Sequence, residues 1–488
     1  MATIDLTIHK ERRMRAIKRA KERNIIIPTY AQMKDPSKIP GKIKDELKHI
    51  GLWDIHPRNL FRISWQNQPT AKGGSFGGVN FIELPSSLTG VKARIIGIVG
   101  KWFPTGAHKV GAAFSCLVPR LVTGQFDPTI QKAVWPSTGN YCRGGAYDSA
   151  LLGCESIAIL PEGMSKERFE WLAQVAGETI KTHGSESNVK EIFDKCWELR
   201  NSGKELMIFN QFEEFGNYLW HYEVTGHAIG NVLKQIMGKN DRYRGIASAT
   251  GSGGTIASGD YLKQLFPESK IVASEALQCP TLLENGFGAH RIEGIGDKHV
   301  PWVHNTKNTD IITAIDDVGV VNLARLFNEP SGRAFLAEKG ISESVITNLS
   351  LMGFSGISNV LSCIKTAKYF EMDENDILVT VFTDSMELYL SRLQEMNQEN
   401  GAYTDRDAAS DFARYLHGQS IDNMLELTYQ ERRRIHNLKY YTWVEQQGKS
   451  HEELQNQWYQ NNYWTDIQKQ SDQIDELIIE FNKEVGII

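Results

Sequence analysis

Residues 91–122 run VKARIIGIVGKWFPTGAHKVGAAFSCLVPRLV. An apolar run, Ile95–Val99, leads through the small-residue turn Thr105-Gly106-Ala107 into a helix-favouring run that opens on Lys109. The apolar run is strand-sized and far short of a membrane span, so the stretch reads as strand, loop and helix. The same alternation continues along the chain: KAVWPS (132–137) before GGAYDSALLG, SIAILP (156–161) before ERFEWLAQVAG, YRGIASATG (243–251) before TIASGDYLKQLF, and DILVTVFT (376–383) before ELYLSRL. That order predicts βαβ units and an α/β fold with mainly parallel sheets. Both faces of such sheets are covered, so their strands are expected to be apolar throughout. Ligands should gather at the carboxyl ends of the strands.

Length and composition set the outer bounds. The chain has 488 residues, 54 basic and 59 acidic side chains and a net charge of −5, with 41% hydrophobic residues. This is ordinary globular composition, and nothing in it asks for a nucleic-acid or membrane partner. The six cysteines (116, 142, 154, 196, 279, 363) form no CxxC pair and have no metal-ligand spacing with histidine, so free thiols in a reducing cytoplasm and no metal are expected. The basic N-terminal stretch around Lys10–Arg19 reads as a solvated helix. Beyond residue 400 the chain is helix-like and polar. Its aromatics Tyr440, Tyr441, Trp443, Trp458, Tyr459, Tyr463 and Trp464 are expected to pack this segment onto the body or onto a second subunit.

Four strand-end loops carry chemistry. Thr105–Lys109 presents an amine behind small residues. Ser137-Thr138-Gly139-Asn140 brings two hydroxyls and an amide into one turn, which suits a carboxylate, although alone it reads rather as a helix cap. Gly251-Ser252-Gly253-Gly254-Thr255 lets backbone amides crowd a phosphate at a helix start; Ile256 stands where a GxGxxG dinucleotide fingerprint needs its last glycine. Thr383-Asp384-Ser385 offers a hydroxyl above the sheet.

Together these loops resemble the fold type II family of pyridoxal-phosphate-dependent enzymes, the group of cysteine synthases and tryptophan synthase β-subunits. TGAHK (105–109) is similar to the tryptophan synthase β lysine motif and STGN (137–140) to the asparagine loop of cysteine synthases. IFNQFEEFGNYLWHYEVTGHAI (208–229), GAHRIEGIGDKHVP (288–301) and FTDSMELYLS (382–391) follow in family order, so the resemblance runs from Asn80 to Ser391. It implies two parallel-rich αβα domains: a large cofactor domain (61–100 and 212–395) and a small mobile one (101–211), with an N-terminal helical arm (1–60) and a C-terminal helical extension (396–488). It also implies roles. Lys109 would bind pyridoxal 5′-phosphate covalently and act as acid and base at Cα. Asn140 would hydrogen-bond the 3′-oxygen, Gly251, Ser252, Gly253, Gly254 and Thr255 would cradle the phosphate, and Ser385 would face the pyridine nitrogen. Ser137, Thr138 and Gln211 match positions that take the substrate carboxylate. His108 either touches the phosphate or is a structural neighbour; both readings stay open.

A serine at the ring nitrogen, unlike an aspartate, holds no proton there, which favours expelling a leaving group from Cβ to give an aminoacrylate. The expected activity is cysteine synthase-like: lyase or transferase chemistry, by β-elimination or β-replacement, on a small amino acid of the serine, O-acylserine or cysteine type, in a homodimer. Asp297, Lys298 and His299 depart from the family pattern and are read either as pocket-mouth residues that set substrate specificity or as a solvated loop. Cys142 reads as a packing residue rather than a reactive thiol. The size also resembles that of the 2-amino-4-oxopentanoate thiolases, which cleave a carbon–carbon bond with coenzyme A and need a small partner subunit. A non-catalytic, cofactor-bound subunit is a third reading.

Overall fold

The computed structural model describes residues 3–69, 74–137, 139–186, 188–296 and 298–487. In chain order its strands are β1 (Phe81–Leu84), β2 (Arg94–Val99), β3 (Lys132–Pro136), β4 (Glu155–Pro161), β5 (Glu178–Thr182), β6 (Leu206–Ile208), β7 (Arg242–Ala249), β8 (Lys270–Ala276), β9 (Ile311–Ile315), β10 (Asp376–Phe382) and β11 (Met424–Glu426). They form a seven-stranded sheet, ordered β1-β2-β10-β7-β8-β9-β11, and a four-stranded sheet, ordered β5-β4-β3-β6. The smaller sheet is parallel throughout. In the larger one only the two edge strands, β1 and β11, run antiparallel to their neighbours. Every residue of β9 and β10 is buried, as expected for parallel strands covered on both faces.

Local packing sets the active-site loops side by side. The helix Asn140–Leu151 carries Gly144 and Gly145 in its second turn. A Cβ on Gly144 would lie 2.8 Å from the Cα of Val110, and one on Gly145 would lie 2.0 Å from the Trp135 indole. Both glycines are therefore required for this helix to rest directly on β3 and on the helix Lys109–Thr123. That contact places Asn140 beside Lys109.

The N-terminal arm differs from the sequence reading, and the C-terminal segment, helical as expected, adds one short strand. The N-terminal helix Lys10–Glu22 is docked rather than solvated: it buries Arg13, Ala16 and Ala20, and the Arg13 guanidinium donates to the Val122 carbonyl at 2.9 Å. An amphipathic stem can thus be covered even when its formal charge reads as surface. The C-terminal segment is helical apart from β11, whose backbone caps the otherwise open edge of β9. Of the aromatics in this segment, Trp443, Trp458, Tyr463 and Trp464 are buried, whereas Tyr441 and Tyr459 are exposed.

Candidate active site

A cavity of about 650 Å³, counted to its open mouth, lies between the two sheets at the carboxyl ends of β3, β7 and β10. Lys109 enters it from the first residue of its helix. The turn before that helix contains two successive left-handed residues, Thr105 (φ 70°) and Gly106 (φ 71°). A threonine held there costs on the order of 1–3 kcal/mol, and such strain concentrates at functional sites. The Lys109 amine donates to Ser252 Oγ at 2.8 Å, and the Asn217 amide donates to the same oxygen at 3.0 Å.

Ser252 belongs to the glycine loop that joins β7 to the helix Ala257–Leu265. Gly253 adopts φ +73°, and a Cβ on Gly251 would lie 2.7 Å from the Gly294 carbonyl oxygen. Gly251, Ser252, Gly253 and Thr255 line the cavity. Gly254 is not part of the wall and turns onto Asn217, where a Cβ would meet Oδ1 at 2.1 Å. Side chains are thereby excluded from a concavity of backbone amides, which suits a phosphate.

Opposite the loop, the Asn140 amide donates to Asp384 Oδ2 at 2.6 Å, and the Tyr389 hydroxyl donates to the same oxygen at 2.6 Å. Burial raises the Asp384 carboxyl above its ordinary range, against the Tyr389 hydrogen bond and the Arg168 charge. Asn140 Oδ1 is buried and has no protein partner. Gln211 Nε2 donates to Ser137 Oγ at 3.3 Å, and its Oε1 is also buried without a protein partner. Thr138 lies outside the described residues.

Ser385, His108 and the pair Lys298 and His299 do not line this cavity. Ser385 is buried with its Oγ lacking a protein partner, while the hydroxyl residues that line the cavity beside it are Thr383, from the same loop, and Ser355, at the start of the helix Phe354–Tyr369. The sequence signal for Ser355 was a small-residue helix start, GFSGIS (353–358), which looks like an ordinary cap. His108 is not part of the wall either. Its ring stacks on Trp220 and lies edge-on to His221, its Nε2 meets Thr383 Oγ1 at 3.1 Å, and burial together with the Lys109 charge pushes its pKa far down.

Residues 297–299 were open between a pocket mouth and a solvated loop. Lys298 is exposed, its amine over the Phe287 ring. His299 is half-buried behind Phe212 among Phe193 and Trp443, with its Nε2 covered and without a protein partner, and this enclosure lowers its pKa to about 3. Neither lines the cavity, because loop and C-terminal segment close over the histidine. Asp297 lies outside the described residues. Cys142 is a packing residue: its thiol bonds the Gly139 carbonyl, and burial pushes its pKa up to about 12.

The donor set fits a phosphorylated pyridine aldehyde. One amine, a cradle closed to side chains, two hydroxyls and an amide with a buried open acceptor surround a single cavity. Among the described residues no group of His, Cys, Asp and Glu could hold a metal ion, and no helix is long and apolar enough to cross a membrane.

Comparison with known proteins agrees with this geometry. A family model described as pyridoxal-phosphate dependent enzyme matches residues 103–330. Cysteine synthase of Staphylococcus aureus is 31% identical over 291 residues, 59% of this chain and 84% of that protein. Cystathionine beta-synthase of Saccharomyces cerevisiae is 26% identical over 334 residues, 66% of this chain. The match spans only 62% of the yeast protein. The crystal structure of a hydrogen sulfide-producing enzyme from Fusobacterium nucleatum shares the fold, with a TM-score of 0.54 at 23% identity over 69% of this chain and 92% of that one.

Proposed function

The chain belongs to the pyridoxal-phosphate-dependent enzymes of fold type II, and from that premise we propose that it eliminates or replaces the β-substituent of a small amino acid of the serine, O-acylserine or cysteine kind. The observation that carries this reading is the makeup of the cavity wall: Lys109 faces the glycine cradle, hydroxyls replace acids, and among the described residues neither Asp nor Glu lines the cavity.

When bound, the cofactor draws electrons from the bonds at the substrate Cα. The rest falls to the protein. Lys109 would hold the cofactor and then take and return the proton at Cα, so its amine must be close and mobile; the small residues 105–107 leave room for that movement. Ser137 and Gln211, already in mutual contact, would orient the α-carboxylate by charge-assisted hydrogen bonds. Asn140, pinned by Asp384, would hold the cofactor's 3′-oxygen, and Ser355, rather than Ser385, would face its ring nitrogen. A hydroxyl there holds no proton on the ring as a carboxylate would. By supplying no proton at that position, Ser355 would favour departure of a group from Cβ. Tyr141 and Phe212 wall the cavity and would keep water from the reacting atoms.

The reading includes a homodimer, as in the family it resembles, which light scattering of the purified chain checks. The activity is tested by incubating the full-length holoenzyme with serine, O-acetylserine or cysteine, with and without sulfide or a thiol. Pyruvate or a new thioether is the expected product. Absence of both with every one of these substrates would defeat the proposal.

A further inference from the structure

We propose that the C-terminal segment is a brace for the phosphate cradle, with Lys439 as the residue that fixes it. This rests on the glycine loop being the phosphate site, as argued above.

Lys439 is fully buried, and its amine donates to the Trp302 carbonyl at 2.9 Å, the His304 carbonyl at 2.7 Å and Gln457 Oε1 at 2.7 Å. Three acceptors match the three donors of an ammonium group. Two further side chains of the segment reach the same loop. The Trp443 indole donates to the Val300 carbonyl at 2.8 Å, and Gln457 Nε2 donates to the Trp302 carbonyl at 3.2 Å. Three backbone carbonyls of loop 300–304 are thus held by side chains more than 130 residues away in sequence.

The loop so held is the floor of the cradle. Gly253, at φ +73°, is packed so closely that a Cβ there would meet His304 Cβ at 3.1 Å and Pro301 Cβ at 3.2 Å. The loop also meets the cavity's other wall, since Val303 N–H donates to the Phe212 carbonyl at 3.3 Å and Phe212 lines the cavity. A buried cation is an expensive way to gain stability alone, because desolvation offsets much of the attraction. Bonded to main-chain carbonyls, it fixes where a backbone runs. Lys439 is therefore a positioning residue: it sets the loop, the loop sets Gly253, and Gly253 shapes the anion site.

The test compares full-length holoenzymes for the rate at which they release pyridoxal 5′-phosphate on dialysis, read from cofactor absorbance, and does not depend on turnover. Lys439→Met and, should that variant fail to fold, Trp443→Phe are set against Arg434→Gln. Arg434 lies in the same segment but holds the Leu282 carbonyl instead. Release should quicken at least tenfold in Lys439→Met and severalfold in Trp443→Phe, with Arg434→Gln unchanged. Retention of unphosphorylated pyridoxal should be nearly unaffected, because only the phosphate uses the cradle. Equal release by all variants overturns the brace, as does equal weakening by Arg434→Gln, which would mark a general loss of structure. An unaltered protein that holds the cofactor but processes no amino acid defeats the proposed activity and leaves the brace standing.

Discussion

The amine of Lys109 and the hydroxyl of Ser252 are 2.8 Å apart, so the first residue of one helix meets the second residue of a glycine loop 143 positions further along the chain. Lys109→Ala should remove the absorbance of a covalently held cofactor. Ser252→Ala should keep that absorbance but weaken cofactor retention by roughly 10- to 100-fold, the usual worth of a hydrogen bond to a charged group. Reduction with borohydride followed by peptide mapping checks both; a label on any residue other than Lys109 contradicts the assignment.

Ser355 and Ser385 give a paired prediction. Both are buried, but only Ser355 lines the cavity. Ser355→Ala should shift the cofactor absorbance and lower kcat/KM about 2- to 10-fold, the range for one neutral hydrogen bond. Ser385→Ala should leave the spectrum unchanged. A reversal of these two outcomes restores the reading made from sequence.

That reversal of roles shows which parts of the site sequence can carry. That Lys109, Asn140, Gly251, Ser252, Gly253 and Thr255 share one cavity wall was legible because each sits in a strand-to-helix turn whose chemistry is local. The α/β alternation was legible for the same reason: buried parallel strands must be apolar along their whole length. Ser355 was not, since a serine in the first turn of a helix looks the same whether it caps the helix or faces a ligand, and only the phase of the helix Phe354–Tyr369 decides. For Lys298 and His299 the sequence left a pocket mouth and a solvated loop equally open, because the C-terminal segment, through Trp443, packs on one and leaves the other in solvent. Contacts between distant segments of this kind leave no periodicity to read.

Gln211 donates one hydrogen of its Nε2 to Ser137 and has the second to offer a carboxylate, whereas the cofactor cradle is built elsewhere. Gln211→Ala should therefore raise KM for the amino acid roughly 10-fold or more, with cofactor release nearly unaltered. Steady-state kinetics alongside cofactor absorbance separate the two. Loss of cofactor as the main effect would place the carboxylate pocket somewhere else.

Arg168 joins the two halves of the molecule. It lies on the helix Lys166–Val175 beside the smaller sheet, and its guanidinium meets Glu293 at 2.6 Å and the Tyr389 hydroxyl at 2.9 Å, both of which belong with the larger sheet. Glu293 is also held by Arg392. Arg168→Met would leave Glu293 short of a buried partner, a change that typically costs about 3–5 kcal/mol. Urea unfolding should show a loss of that size; a midpoint within error of the parent would mean that the bridge does not contribute to the native state.

His299 makes stability depend on pH in a direction that can be measured. Burial among Phe193, Phe212 and Trp443 holds its pKa at about 3, against 6.5 for an ordinary histidine. Below pH 6.5 the unfolded chain binds a proton at this position that the native chain refuses, so its contribution to stability is lost as pH falls from 6.5 towards 3. The loss grows by about 1.4 kcal/mol per pH unit. Other buried groups titrate in the same range, so the effect is read as a difference between two proteins. His299→Phe keeps a ring in the aromatic cluster and removes the proton site. Relative to the parent, this variant should gain about 2 kcal/mol between pH 7.5 and pH 5, measured by urea melts at the two values. A parent-to-variant gap that stays constant with pH would show that the imidazole takes up its proton as readily in the native chain as in the unfolded one.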